Sequence, residues 1–154
     1  MPQEALPERR AHHRIACTGD GDLVIRIWRI LPSDTVPKEP RPGAAAATTP
    51  VDISAGGLGL LMSADDVQRL RLARGVLIGA LVERKDARAI VHGEIRRVLK
   101  RADGLMRLGI SVQLPEMSLE RKRAIAKLES LVATIRRIEL EQLALYGVPE
   151  AKPL

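Results

Sequence analysis

Alternating apolar and polar residues indicate that most of this chain forms β-strands. In "LVIRIWRI", Leu23, Ile25 and Ile27 occupy every second position, and "LMRLGISVQL" repeats this pattern further along. A period of two places the apolar side chains on one face of a strand. Six segments predict strands: "LVIRIWRI", "TTPVDIS", "LGLLMS", "GVLIGALVE", "ARAIVHGEIRRVL" and "LMRLGISVQL". Strands at such short spacing predict a mainly β fold, a small six-stranded antiparallel β-barrel.

The spacing of apolar residues changes near the C-terminus, where it predicts a long α-helix. Five apolar residues recur at helical spacing: Leu128, Leu131, Ile135, Ile138 and Leu145. Ser118 is a candidate N-cap, and Gly147 and Pro149 end the pattern. The apolar stripe has two interpretations, since it either packs on the barrel or forms a coiled-coil seam between two copies. The second interpretation predicts a homodimer through this helix.

Shorter signals divide the chain into segments. Residues 32–50 are rich in proline and contain four consecutive alanines, which predicts a long flexible loop. We therefore expect a flexible leader at 1–8, the barrel at 9–116, the helix at 117–147 and a tail at 148–154. Within the barrel, Ser63 is placed to cap a short helix, and Asp103-Gly104 predicts a hairpin turn.

Composition restricts the partner and the compartment. The net charge of +6 over 154 residues favours an anionic partner. Aromatic residues make up 1% of the chain, so it lacks the stacking platforms that single-stranded nucleic acid usually needs, and nucleic acid is disfavoured. Cys17 is the only cysteine, and no run of about eighteen apolar residues occurs. We expect a cytoplasmic protein that does not insert into a membrane.

The sequence offers no catalytic or metal-binding constellation. His12, His13, His92 and Cys17 have no spacing typical of a zinc site, and no nucleophile is paired with a base. Asp65 and Asp66 fit the first turn of a helix better than an acid/base pair. The prediction is a binding protein rather than an enzyme, with no metal or other cofactor.

The stretch "ERRAHHRIA" places Arg10 and Arg14 four residues apart, ahead of the first strand. An arginine side chain presents a planar fork of donors that binds phosphate oxygens in pairs and stacks on bases. The alternative interpretation is a basic leader that only contacts water.

A second stretch, "VDISAGG", places Asp52 and Ser54 two positions apart on a strand, before Gly56 and Gly57. On a strand this spacing directs both side chains to one face. An ionised Asp accepts hydrogen bonds and suits the N1–H and amino donors of guanine. The alternative interpretation is a turn in which Asp and Ser bind nearby backbone groups.

Taken together and in this order, the two stretches resemble the motifs of the PilZ domain family, bacterial receptors for the second messenger cyclic di-GMP (c-di-GMP). The family carries RxxxR on an N-terminal arm and (D/N)xSxxG on a barrel strand. Here the motifs are Arg10 to Arg14 and Asp52 to Gly57, and "RLGISVQL" with Gly109 resembles the family's closing strand. The resemblance covers about residues 8–114. It departs from the family at Val112, where an aromatic residue is common, and in the long loop between the motifs.

The resemblance implies a role for each motif residue. Arg10 and Arg14 would hold the ligand's phosphates and stack on guanine, while Asp52 and Ser54 would bind a guanine edge. Gly57 would shape the turn, and Gly56 and Gly109 would lie near the ligand. In the family, an arginine at the position of Arg9 often accompanies an intercalated pair of ligands, so Arg9 joins the predicted site. The alternative is that Arg9 only extends the basic arm into water.

These expectations define a c-di-GMP receptor that relays ligand occupancy to an unidentified partner protein. The main alternative is a PilZ-like adaptor that acts by protein contacts without nucleotide. A third class, a basic nucleic-acid binder, would show an affinity that falls steeply with salt.

Overall fold

The computed structural model of the protein describes residues 15–16 and 22–146. It contains eight strands and two helices in these ranges. They are β1 (Ile15–Ala16), β2 (Leu23–Arg29), β3 (Ala46–Ala47), β4 (Thr49–Ile53), β5 (Gly57–Met62), α1 (Ala64–Arg69), β6 (Leu77–Arg84), β7 (Ala87–Lys100), β8 (Met106–Ser111) and α2 (Leu119–Tyr146).

The strands form one antiparallel sheet in the order β1-β4-β5-β8-β7-β6-β2-β3. Its two ends approach each other because Thr48 alone separates β3 from β4 in the chain. The backbone N–H and the hydroxyl of Thr48 both donate to the carbonyl oxygen of Ile25 in β2, at 3.2 and 2.7 Å. The sheet is therefore nearly closed into a barrel, and the predicted mainly β fold with a long C-terminal helix is confirmed.

All six predicted strands are present, and the structure adds two strands of two residues each, β1 and β3. A two-residue strand is too short to show any period in the sequence, which explains the difference in number. The short local signals are confirmed as well. Ser63 accepts the backbone N–H of Asp66 at the start of α1, and Gly104 adopts a positive φ of 87° in the β7–β8 hairpin.

Alternation along the strands builds the barrel core. The largest fully buried side chains are Ile25, Ile27, Ile53, Leu58, Leu60, Ile78, Ile95, Leu108, Ile110, Leu128, Val82 and Val91. From α2, Ala124, Leu128, Leu131 and Ile135 join this cluster. The first half of the stripe therefore packs on the barrel, as the first interpretation predicts. Leu145, near the end of the helix, is 75% exposed, and the homodimer through α2 stays a prediction.

The proline-rich segment differs from its prediction as a flexible loop over residues 32–50. Its last residues form β3 and the start of β4, because Ala46 and Ala47 pair with Ile27 and Arg26 of β2. The segment also covers a second apolar cluster on the outer face of the sheet, formed by Trp28, Ile30 and Leu81 with Ala44 and Ala45. The prolines and alanines give no local sign of the strand pairing or of the apolar cluster. Both sets of contacts depend on residues that are distant in the sequence.

The start of α2 is bonded to this segment. Ser118 caps the helix, since its hydroxyl oxygen accepts the backbone N–H of Arg121 at 3.2 Å and its O–H donates to the carbonyl of Thr35 at 2.7 Å. The Arg121 side chain is buried and donates three hydrogen bonds. They reach His92 Nδ1 at 3.1 Å, the carbonyl of Glu116 at 2.8 Å and the carbonyl of Asp34 at 2.8 Å. One arginine therefore joins the helix, strand β7 and the proline-rich segment.

The imidazole of His92 makes the stability of this junction dependent on pH. Burial, together with the charge of Arg121, lowers the pKa of His92 from 6.5 to about 4, although the charge of Asp34 acts in the opposite direction. The unfolded chain therefore binds the proton more readily than the folded one. The contribution of the neutral His92 side chain to folding stability is present above pH 6.5 and is lost as the pH falls towards 4. We expect a loss of about 2 kcal/mol in unfolding free energy at pH 5.

Urea unfolding at pH 7.5 and pH 5 measures this loss. The His92→Gln variant keeps an acceptor for Arg121 but does not titrate, and it shares all other titrating groups with the wild type. The difference in unfolding free energy between pH 7.5 and pH 5 should be smaller in the variant by about 2 kcal/mol. Equal differences in both proteins would contradict the assignment to His92.

Candidate functional site

Asp52 lies on the outer face of β4, beside an irregularity in the strand. The pairing of β4 with β5 shifts between Pro50 and Asp52, so Val51 is an extra residue in a β-bulge. Ile53 then points into the core and is fully buried, while Asp52 is half-buried on the opposite face. Bulges commonly redirect a side chain beside a functional site.

A row of four paired residues crosses the outer face at Asp52. Asp52 in β4 pairs with Gly59 in β5, Gly59 pairs with Gly109 in β8, and Gly109 pairs with Arg97 in β7. The two central strands therefore carry no side chain in this row. A Cβ atom at Gly59 would lie 2.6 Å from Asp52 Oδ1, so the carboxylate leans over this glycine. We call the surface of Gly59 and Gly109 between these two walls the glycine trough.

A second bulge shapes the wall of the trough on β7. The pairing of β7 with β8 shifts between Ile95 and Arg97, so Arg96 is the extra residue. Ile95 is fully buried and Val98 packs against the core, while Arg96 and Arg97 between them are both exposed. Without the bulge, strict alternation would turn one of these two arginines towards the core. Both arginines instead line the same cavity as Asp52.

This cavity is open to solvent and strongly cationic. Its volume is about 380 Å³, and its lining includes Asp52, Gly56, Gly59, Arg96, Arg97, Leu99, Arg107, Gly109, Ile110 and Ser111. Arg107 Nη2 lies 3.4 Å from Asp52 Oδ2, which forms an ion pair at its edge. Three arginines and one carboxylate around a floor of bare backbone suit a planar anionic ligand that also carries hydrogen-bond donors.

Ser54 faces the turn and not the trough. Its hydroxyl oxygen accepts the backbone N–H groups of Gly56 and Gly57, at 3.2 and 3.1 Å, and its own N–H donates to the carbonyl of Gly57 at 2.9 Å. The side chain is buried, so the expectation that it shares a face with Asp52 does not hold: the chain leaves the strand after Ile53. These contacts agree with the alternative interpretation, in which the stretch forms a turn and Ser54 binds nearby backbone groups. A ligand contact from Ser54 or Gly57 stays a prediction.

The predicted arginines Arg9, Arg10 and Arg14 lie outside the described residues. The residues that follow them form β1, where Ile15 pairs with Ile53 and Ala16 pairs with Asp52. The strand that follows RxxxR is therefore the direct neighbour of the strand that carries Asp52. Of the glycines expected near a ligand, Gly56 and Gly109 both line the cavity.

Sequence reasoning missed Gly59, Arg96, Arg97 and Arg107 as lining residues. In the sequence alone, the run "RRVLKR" is typical of a solvated strand face and turn, and its place beside the trough depends on the pairing of β7 with β8. A signal was present in the two glycines, since Gly59 and Gly109 each interrupt a strand pattern. An isolated glycine in a strand indicates a bulge or a close approach of another molecule.

The described part of the chain has neither a candidate metal-binding cluster nor a helix suited to span a membrane. No group of three or more His, Cys, Asp or Glu side chains there is arranged to hold a metal ion. Neither α1 nor α2 combines the length and the apolar character that a membrane-crossing helix needs.

Comparison with known proteins identifies the fold. No protein-family model matches the sequence, and no curated protein matches it significantly. Among solved structures, the c-di-GMP complex of K. pneumoniae MrkH matches with a TM-score of 0.60 and 13% identity, over 87% of this chain and 55% of that one. The c-di-GMP complex of Escherichia coli YcgR matches with a TM-score of 0.54 and 15% identity, over 88% and 50%. This chain thus spans about half the length of both proteins.

The PilZ domain of YcgR has also been solved by itself. The PilZ domain of YcgR with c-di-GMP matches with a TM-score of 0.52 and 14% identity, over 86% of this chain and 98% of that domain. The barrel with its C-terminal helix therefore has a PilZ-like fold.

Proposed function

We propose that this chain is a c-di-GMP receptor that acts without a catalytic step. The observation that carries the proposal is the row from Asp52 across the glycine trough to the arginines of β7, on a barrel of PilZ-like fold. MrkH and the PilZ domain of YcgR have been solved with c-di-GMP, and the same ligand class is proposed here.

The chemistry of the trough supports a guanine ligand. The ionised carboxylate of Asp52 accepts hydrogen bonds only, which matches the N1–H and amino donors on one edge of guanine. Because Gly109 lacks a side chain, a flat ring can lie close to the backbone of β8, beside the carboxylate that leans over Gly59. The surrounding arginines offset the ligand's two phosphate charges.

Chain connectivity supports the participation of the RxxxR motif. Arg14 precedes Ile15, and consecutive Cα atoms are about 3.8 Å apart. Ile15 and Ala16 pair with the strand of Asp52, so the first described residue after the motif belongs to the strand next to the one that carries Asp52. Arg10 and Arg14 would bind the phosphates and stack on guanine, and Arg9 would add a third guanidinium if two ligands bind together.

The proposed role is signalling in the cytoplasm, where ligand occupancy is relayed to a partner protein. The alternative is an adaptor of the same fold that works by protein contacts and does not bind nucleotide. The two functions differ in one measurable property, which is direct affinity for c-di-GMP.

Isothermal titration calorimetry of the wild-type protein tests the proposal. We expect saturable binding of c-di-GMP at micromolar concentration, with much weaker binding of GTP and of a DNA duplex. Binding of all three with a steep dependence on salt would indicate a general anion or nucleic-acid site. No heat with c-di-GMP would reject the receptor in favour of the adaptor.

A further inference from the structure

A second cavity lies between the proline-rich segment and the outer face of the sheet. Its volume is about 470 Å³, which is within the range of small-molecule sites. Its lining includes Trp28 of β2, His92 of β7 and residues of the segment between positions 31 and 44. It shares no lining residue with the cavity that contains Asp52, so it is a separate candidate site.

Trp28 and His92 belong to one paired row on the floor of this second cavity. Trp28 in β2 pairs with Gly79 in β6, and Gly79 pairs with His92 in β7. A Cβ atom at Gly79 would lie 2.5 Å from Trp28 Nε1, so the indole ring lies over this glycine. The indole nitrogen is therefore above the strand that is next to His92.

Both side chains of the row carry an N–H group without an acceptor. His92 Nδ1 accepts Arg121 Nε at 3.1 Å, which places the ring proton of the neutral imidazole on Nε2. Within the described residues, neither this N–H nor the indole N–H of Trp28 has a hydrogen-bond partner. His92 is 3% exposed and Trp28 is 5% exposed, yet no side-chain nitrogen that is sealed from solvent in these residues lacks a partner. Both nitrogens are therefore accessible from the cavity that their residues line.

The charges around the cavity favour an anion. Lys38 and Arg41 line it, are exposed, and have no ion pair or side-chain hydrogen bond within the described part of the chain. The two acidic residues of the lining are already engaged. Glu39 is paired with Arg88 at 3.1 Å, and the Asp34 carboxylate accepts a backbone N–H at 2.9 Å. Two buried donors and two unpaired cations thus face the same space.

We propose that this cavity binds a small organic anion whose carboxylate or phosphate oxygens accept hydrogen bonds from Trp28 and His92. Lys38 and Arg41 offset the charge of the anion. The apolar part of the ligand contacts three further residues of the lining, which are Ile30, Val36 and Ala44. Because the cavity lies between the sheet and the proline-rich segment, the bound anion joins the two.

The fluorescence of Trp28 tests the proposal, because Trp28 is the only tryptophan in the chain. We would titrate the wild type with hexanoate, with butyl phosphate and with hexanamide, which has the apolar body of hexanoate but no charge. We expect a saturable change with at least one anion at millimolar concentration or below, and none with hexanamide. The anion that responds identifies the head group. No saturable change with either anion, or an equal response to hexanamide, would overturn the proposal.

The Lys38→Met/Arg41→Met double variant tests the two cations. Both side chains are exposed, so their replacement should leave folding intact. Since a hydrogen bond to a charged group is worth at least a factor of about ten, the double variant should bind the responding anion at least tenfold more weakly. The matched control is Lys122→Met/Arg123→Met, which removes two exposed cations of α2 that do not line this cavity. Equal affinities of the two double variants would reject the assigned site.

Trp28→Phe tests the indole donor, since it keeps an aromatic ring but removes the N–H group. Titration calorimetry replaces fluorescence for this variant. We expect binding about tenfold weaker than in the wild type, because the lost hydrogen bond is to a charged acceptor. Wild-type affinity in the folded variant would show that the indole N–H does not bind the anion.

Discussion

Replacing Asp52 with alanine is expected to weaken c-di-GMP binding at least tenfold. A hydrogen bond to a charged group contributes about 1.5–3 kcal/mol, and about 1.4 kcal/mol corresponds to a factor of ten in affinity. The substitution removes the carboxylate that leans over Gly59 and that is paired with Arg107. Titration calorimetry on the folded variant measures the effect.

Two further variants sharpen the interpretation. Asp52→Asn keeps the size of the side chain and one acceptor oxygen, so it separates the effect of charge on affinity from the effect of shape. Arg101→Ala removes an arginine of the β7–β8 turn that is paired with Asp103, away from the trough, and should leave affinity unchanged. If Asp52→Ala bound c-di-GMP as tightly as Arg101→Ala does, the trough would not be the ligand site.

Replacing Arg121 with methionine is expected to lower the unfolding free energy by about 3 kcal/mol or more. Methionine fills much of the volume but donates no hydrogen bond. The substitution leaves the buried His92 Nδ1 and the part-buried carbonyls of Glu116 and Asp34 without this donor. Each unsatisfied buried polar group costs about 1–3 kcal/mol. Urea unfolding at pH 7.5 measures the loss.

The matched control is Arg123→Met, which removes an exposed arginine two residues further along α2. A surface substitution of this kind changes stability by about 0.5 kcal/mol or less. Hydrogen exchange adds a local measurement. The amides of residues 31–45 should exchange faster in Arg121→Met than in the wild type, and at the wild-type rate in Arg123→Met. Equal stability of the two variants would show that the buried arginine does not hold the proline-rich segment.

The sequence by itself determined the features that depend on neighbours along the chain. Period-two alternation located the six longer strands, and apolar residues three and four apart located α2. The turn at Asp103-Gly104 and the caps at Ser63 and Ser118 were predictable because they join a side chain to a backbone group within three residues. The stretch from Asp52 to Gly57 marked the place of the candidate site through its resemblance to a family motif.

The tertiary structure decided which distant residues meet. The sequence placed Asp52 near a ligand, but only the strand order β4-β5-β8-β7 aligns it with Gly59, Gly109 and Arg97. A single extra residue in β7 reverses the alternation there, and no local pattern announces it. Arg121 reads as an ordinary surface residue of a helix, yet it is buried because three acceptors from other parts of the chain converge on it. Local periodicity assigns a side chain to a face, whereas strand register and the closure of the barrel determine what that face meets.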